Sequence, residues 1–238
     1  AGAPPAEAAP AAQGKRRERL AWAVAAIAVV AALVAPAVFY FGRFMRTPPP
    51  SEPIHLSLLP PEGEHLDPRA ASAAISPDGK FVAFLTSSSL AGQSRLWIRS
   101  LGNPDASPIE GSEGALAPFW SPDGQWVAFF TVGDRKLKKA SVVARNARVI
   151  ADVTGSGGNR QSGTWNSDNV ILLGMDTGKP LYTVSADGGP LAPQTSLDTA
   201  RGDRSHFRPS FLPDGKHFLF QIDAGNAAEI TGWFEYWW

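Results

Sequence analysis

The sequence predicts an all-β chain, a partial β-propeller of about four blades, preceded by one transmembrane α-helix. Three observations predict it. A turn-and-strand cassette returns 45, 45 and 46 residues apart, at Ser76, Ser121, Asn166 and Leu212; a second strand-like element recurs between the cassettes; and residues 20–41 carry no charge. A fixed period in this range marks a repeat architecture in which each unit buries its apolar face against its neighbours.

Residues 1–14 are rich in Ala and Pro, with Glu7 as their one charge. That composition does not build a packed core, so residues 1–19 are expected to be a disordered cytoplasmic juxtamembrane linker. A chain opening on Ala1 rather than Met is expected to be a piece of a longer parent.

The apolar stretch runs from Leu20 to Phe41, its expected ends. Twenty-two residues at about 1.5 Å each span about 33 Å as a helix, enough for a hydrocarbon core of roughly 30 Å. Ten of them are Leu, Ile, Val or Phe, and these favour insertion by about 3 to 6 kcal/mol in sum. The stretch exceeds the apolar region of a secretory signal, about 7 to 15 residues, and it ends on bulky side chains. A permanent span is therefore expected over residues 20–41. Lys15, Arg16, Arg17 and Arg19 precede it and only Arg43 and Arg46 follow closely, so the N-terminus is expected in the cytoplasm and the repeats in the periplasm or at the cell surface. Ala21, Ala25, Ala28, Ala32 and Ala35 fall at three- and four-residue steps, a close-approach face through which the span could form a homodimer.

Residues 42–66 read as a Pro-rich spacer. Thr47-Pro48-Pro49-Pro50-Ser51-Glu52-Pro53 is stiff and extended, and Pro60 and Pro61 continue it.

The repeats occupy residues 67–223. Each cassette combines a tight turn with a strand: Ser76-Pro77-Asp78-Gly79 before Phe81-Val82-Ala83-Phe84, Ser121-Pro122-Asp123-Gly124 before Trp126-Val127-Ala128-Phe129, and Leu212-Pro213-Asp214-Gly215 before Phe218-Leu219-Phe220. Proline presets φ for the turn, Asp bonds the backbone downstream of it, and Gly supplies a positive φ. The third copy, Asn166-Ser167-Asp168-Asn169, has lost the proline and one residue, so a tighter or irregular turn is expected there. The apolar runs that follow suit strands buried on both faces. Asp78, Asp123, Asp168 and Asp214, with Gly79, Gly124 and Gly215, are therefore structural turn residues in this reading. The second element comprises Leu96-Trp97-Ile98-Arg99-Ser100-Leu101, Leu137-Lys138-Lys139-Ala140-Ser141-Val142 and Leu181-Tyr182-Thr183-Val184-Ser185-Ala186. With the stretches between, each period holds about four short strands, one propeller blade. Trp97, Phe119, Trp120, Trp126 and Trp165 are expected to pack between blades rather than form a ligand cage.

These blocks resemble the WD40-like PD40 repeat of TolB-type β-propellers across residues 67–223. Leu96-Trp97-Ile98-Arg99, Gly163-Thr164-Trp165-Asn166 and Ser205-His206-Phe207-Arg208-Pro209 are similar to the propeller behind the membrane span of bacterial eukaryotic-like serine/threonine protein kinases. The resemblance implies an extracytoplasmic sensor or scaffold whose kinase domain lies in a part of the protein not included in this sequence.

Residues 224–238 depart from the repeat. Gly232-Trp233-Phe234-Glu235-Tyr236-Trp237-Trp238 fits neither a blade nor a polar cap, and is read as an altered or truncated gene end, with a lipid- or partner-binding aromatic tail as the alternative. About three and a half periods also fall short of the usual four to eight blades, so an incomplete ring is expected.

The chain lacks a Gly-x-Ser-x-Gly elbow, a phosphate-binding Gly-x4-Gly-Lys-Ser/Thr loop, a His-Glu-x-x-His pair and the kinase His-Arg-Asp and Asp-Phe-Gly triplets. No enzymatic activity, cofactor or metal is expected of it. Gly155-Ser156-Gly157-Gly158 reads as a connecting loop, Arg201-Gly202-Asp203 as a chance tripeptide, and His55, His65, His206 and His217 have no metal-like spacing. The 22 basic residues equal the 22 acidic ones, so nucleic acid is not an expected partner. The expected partners are the membrane lipid bilayer and a protein or small ligand at the propeller loops. Three settings stay open: the sensor part of a serine/threonine kinase, a stand-alone TolB-like envelope interaction protein, and the propeller of a prolyl-oligopeptidase-type hydrolase.

Overall fold

The computed structural model describes residues 57–68, 72–87, 93–153 and 161–224, together with the helical residues Trp22, Val24, Ala25, Ala28, Val29, Val30, Ala31, Ala32 and Val34. Among the described residues no helix is long and apolar enough to cross a membrane. Lys15, Arg16, Arg17, Arg19, Leu20, Phe41, the Gly155-Ser156-Gly157-Gly158 loop and the aromatic tail from residue 225 onward lie outside them.

From residue 57 onward the described chain is a succession of antiparallel sheets. The first contains β1 (His65–Leu66), β2 (Ala73–Ile75), β3 (Phe81–Ser87), β4 (Ser94–Ser100) and β5 (Ala106–Pro108); β1 and β2 both pair with β3, which continues through β4 to β5. The second is a meander of β6 (Ala115–Trp120), β7 (Trp126–Thr131), β8 (Lys136–Ser141) and β9 (Ala147–Asp152). A third meander follows, made of β10 (Ser162–Trp165), β11 (Val170–Gly174), β12 (Tyr182–Ser185) and β13 (Ala192–Pro193). The fourth sheet is the hairpin of β14 (Ser205–Phe211) and β15 (Phe218–Asp223), which a 3-10 turn at Thr199–Arg201 introduces. The first strands of successive sheets, β2, β6, β10 and β14, neighbour one another. The sheets therefore stack as blades around a common inner edge.

The blades hold together because their second strands are apolar on both faces. Side chains alternate across a strand with period two. In β7, Val127 and Phe129 enter one core with Ala83, Leu85, Leu96 and Ile98 of the first sheet, while Ala128 and Phe130 enter another with Trp165, Ile171 and Leu173 of the third. β11 repeats the device: Ile171 and Leu173 face the second sheet, and Leu172 joins Phe218 and Phe220 of the fourth. One strand thus supplies two seams. Continuous hydrophobicity in a four- to six-residue run marks this role, whereas one-sided strands read as alternating.

The first sheet begins earlier than the boundary at residue 67 expected from the sequence. Within the segment read as spacer, Pro61 accepts a hydrogen bond from the Glu64 amide at 3.0 Å across Gly63, whose φ is 78°. This turn sends His65 and Leu66 onto the edge of β3, where Thr86 donates a 2.8 Å hydrogen bond to Glu64. Two residues are too short to carry a readable period, so the strand is hidden in the sequence.

Candidate functional site: the cassette rim and an inter-blade cleft

All four cassettes close the first strand of a blade onto its second through a hydrogen-bonded turn. The amide of Gly79 donates to the carbonyl of Ser76 at 2.9 Å, Gly124 to Ser121 at 3.0 Å, Asn169 to Asn166 at 3.3 Å and Gly215 to Leu212 at 2.9 Å. The fourth turn residue lies in the left-handed region, with φ of 68° at Gly79, 67° at Gly124, 64° at Asn169 and 68° at Gly215. Asn, tolerant of that region, stands where the third copy lacks glycine. That turn closes one residue sooner, Asn166 pairing with Val170 where Ser76 pairs with Phe81.

The first residue of each cassette sets how the turn amides are satisfied. The Ser76 hydroxyl accepts from Lys80 and Phe81 amides at 3.1 and 2.9 Å and donates to Asp78 at 2.6 Å; Ser121 likewise donates to Asp123 at 2.5 Å. In the third copy the Asn166 side chain does this work, accepting from Asp168 and Val170 at 3.1 and 2.9 Å and donating to the Gly215 carbonyl of the next blade at 2.8 Å. The Leu212 side chain offers no acceptor. Asp214 therefore takes both amides, Lys216 at 2.9 Å and His217 at 3.0 Å, and pairs with the His217 ring. The His217 amide, then its side chain, then the Lys216 amide lower the Asp214 pKa to about 2. Asp78 is also lowered, by the Ser76 hydroxyl first and the Lys80 amide second.

Two predictions arise here. Asn166 is buried, so Asn166→Ala strands two amides and one carbonyl; urea denaturation is expected to show a loss of about 1–3 kcal/mol, with Asn166→Ser recovering part of it. A carboxylate with a depressed folded-state pKa stabilises above its unfolded value and loses that contribution as pH falls through the folded value. Carbon-13 carboxyl titration is therefore expected to place the Asp214 midpoint near 2, and His217→Ala is expected to raise it.

The seams between cassettes are not alike. Between the first and second, Gly124 sits against the Asp78 carboxylate, and the Trp120 indole donates to the Ala74 carbonyl at 3.0 Å. Between the third and fourth, Gly215 abuts Ser167 and Asn166. Between the second and third, where the shortened turn stands, a cleft of about 330 Å³ opens, lined by Ser121, Pro122, Asp123, Trp126, Lys139, Trp165, Asn166, Ser167, Asn169 and Asp187.

A cation lies against the aromatic wall of the cleft. The Lys139 ammonium sits 4.9 Å from the Trp126 ring centre and 5.9 Å from that of Trp165. Its side chain is 15% exposed, while its partner Asp187, at 3.3 Å, is 77% exposed. Asn169 donates to the other Asp187 oxygen at 2.6 Å. The chain's own lysine thus occupies the position a cationic guest would take between aromatic rings. Trp126 and Trp165 were expected to serve inter-blade packing; they also form this wall, whereas Trp120 and Phe119 lie within the seams. Lys139, Ser167, Asn169 and Asp187 carried no functional signal of their own in the sequence. The lost proline and shortened loop of the third cassette were the available sign.

The turn aspartates do not converge on a metal site: among the described residues no group of three His, Cys, Asp or Glu could hold an ion. Asp203, His206 and Thr195 form a hydroxyl–imidazole–carboxylate chain, with Thr195 at 2.8 Å from the His206 ring and Asp203 at 3.4 Å. His206 and Thr195 are buried and Thr195 also accepts the Leu181 amide at 2.9 Å. Burial lowers the His206 pKa against the opposing pull of Asp203. The Asp203 side chain is only 11% exposed, so the Arg201-Gly202-Asp203 tripeptide does not present its carboxylate.

No family model matches the chain. Among solved structures it is similar to the putative TolB from Agrobacterium tumefaciens, at 18% identity over 66% of this chain and 55% of that one, with a TM-score of 0.50. It is similar also to TolB from Acinetobacter baumannii (20% identity, 65% and 40% covered, TM-score 0.45) and to the β-propeller domain of the Trilobed protease from Pyrococcus furiosus (14%, 66% and 50%, 0.43). The chain spans about half the length of the structures it matches. At these identities the likeness speaks for architecture alone, and the stacked meanders described above, with the similarity to the Agrobacterium tumefaciens structure, mark the fold as a partial, TolB-like β-propeller.

Proposed function

We propose that this chain is a single-pass, membrane-anchored β-propeller that presents a ligand- or protein-binding face outside the cytoplasm, as the sensor part of a bacterial serine/threonine protein kinase. The observation that carries the anchoring is an apolar helical stretch without a polar face. Its described residues are Trp, Val and Ala only, and they are exposed; Trp22 is 76% and Val24 65% accessible. Steps of about 100° per residue distribute these positions around the axis, and an all-round apolar helix belongs in a protein core or a bilayer. Basic residues before it favour a cytoplasmic N-terminus. The cleft supports the binding role, since it joins an apolar wall to a few convergent polar groups. The kinase setting rests on the repeat resemblance.

Protease treatment of spheroplasts tests the topology. External protease is expected to remove the repeats and spare the membrane span with the cytoplasmic part before it; protected repeats would refute it. The reading frame upstream of Ala1 tests the setting, with a kinase domain expected. A start codon directly before Ala1 would instead indicate a stand-alone TolB-like envelope protein, and a hydrolase domain downstream a prolyl-oligopeptidase-type parent.

A further inference from the structure

We infer that the cleft between the second and third blades is a binding site for a neutral saccharide of one or two rings. The inference rests on the reading of the propeller as a ligand-presenting module, and names the ligand class of that module's cleft.

The first ground is why the cleft exists. The other two cassette seams are closed by a glycine of one turn lying against the preceding turn: Gly124 on Asp78, and Gly215 on Ser167 and Asn166. At the middle seam the corresponding left-handed residue is Asn169, whose side chain turns to Asp187. The gap is thus built by a local departure from the repeat, and departures from local consistency concentrate at functional sites.

The second ground is charge. Lys139 and Asp187 neutralise each other within the cleft, leaving Asp123 as the remaining charge among its lining residues. That uncompensated carboxylate disfavours a polyanion. The Lys139 ammonium, already placed against both indoles, disfavours a cation at the aromatic wall. A neutral guest meets neither obstacle.

The third ground is the hydrogen-bonding capacity left over. Asp123 uses one carboxylate oxygen on Ser121 and the Gln125 amide, which leaves the other to accept. Asn169 donates through its amide nitrogen and keeps its amide oxygen. The exposed Ser167 hydroxyl can donate and accept, and the ammonium of Lys139 has three donors, of which Asp187 takes one. Donors and acceptors therefore line the same cleft as the indoles of Trp126 and Trp165. A sugar ring matches that lining: its hydroxyls donate and accept together while its C–H face is apolar. The volume of about 330 Å³ lies at the small end of the roughly 300–1,000 Å³ usual for small-molecule sites, which limits the guest to a mono- or disaccharide.

The full 238-residue chain, held in a detergent without a sugar headgroup, would be titrated with maltose, cellobiose and N,N′-diacetylchitobiose by calorimetry and saturation-transfer NMR. Triglutamate and putrescine serve as anionic and cationic probes. At least one disaccharide is expected to bind saturably, with saturation strongest at its ring C–H protons. Trp126→Ala is expected to weaken binding by about tenfold or more, about 1.4 kcal/mol per tenfold. Ser167→Phe places a ring at an exposed lining position of the cleft, so it is expected to do the same in a chain whose circular dichroism is unchanged. Absence of saturable binding for all three sugars, sugar binding unaltered by Ser167→Phe, or tighter binding of triglutamate or putrescine overturns the assignment. Spheroplast proteolysis reads the module's placement independently, so repeats that are cleaved from outside yet bind no sugar lose the ligand class alone.

Discussion

Phe130→Ala is expected to lower the unfolding free energy by about 3–5 kcal/mol, the range for deleting a buried aromatic ring, as read from the midpoint shift in urea. Phe130 is fully buried and packs with Phe119, Leu137, Trp165 and Ile171 in the core shared by the second and third blades. The Phe119 ring lies 6.4 Å away, centre to centre, so the void opens beside a second aromatic. Phe129→Ala, one residue earlier, removes an equally buried ring from the core on the opposite face, shared with the first blade. Similar losses from adjacent residues are the signature of a strand that serves two seams. A strand with one solvent face would show one large and one small effect.

Gly163→Ala is expected to separate the blades. A Cβ there would lie 2.4 Å from Cε1 and 2.5 Å from Cζ of Phe119, so the ring or the strand must shift. Overpacking of this kind costs about 1–3 kcal/mol. Coupling in a repeat array runs only between neighbours, so loosening this seam is expected to split one cooperative unfolding transition into two. Gly133→Ala is the control. Nothing lies within 4 Å of its Cβ, and a surface substitution of this sort changes stability by less than about 0.5 kcal/mol.

The second strand of each blade was legible because burial on both faces writes itself as an unbroken apolar run, as in Trp126-Val127-Ala128-Phe129-Phe130. The cassettes were legible because a tight turn needs particular residues. The inner strands were harder. β6 and β14 carry register shifts at Ala117-Pro118 and Arg208-Pro209, with φ of 46° at Ala117 and 50° at Arg208, and a proline within a run argues against a strand. Outer strands such as β5 and β13 are two or three residues long and carry no period. The cleft was only half legible. The irregular third cassette was visible, but the meeting of Lys139 with Asp187, 48 positions on, depends on how two blades stack, and neither residue departs from what an ordinary strand or turn contains.

Stacking of successive 45-residue repeats as blades is the central claim, and a nuclear Overhauser measurement between the Phe119 ring protons and the Gly163 α-protons tests it most directly. The account predicts a strong cross-peak over this separation, in a chain whose Cα and Cβ shifts report extended backbone through β6, β7, β10 and β11. Helical shifts in those segments, or extended strands with no Phe119–Gly163 contact, would contradict it.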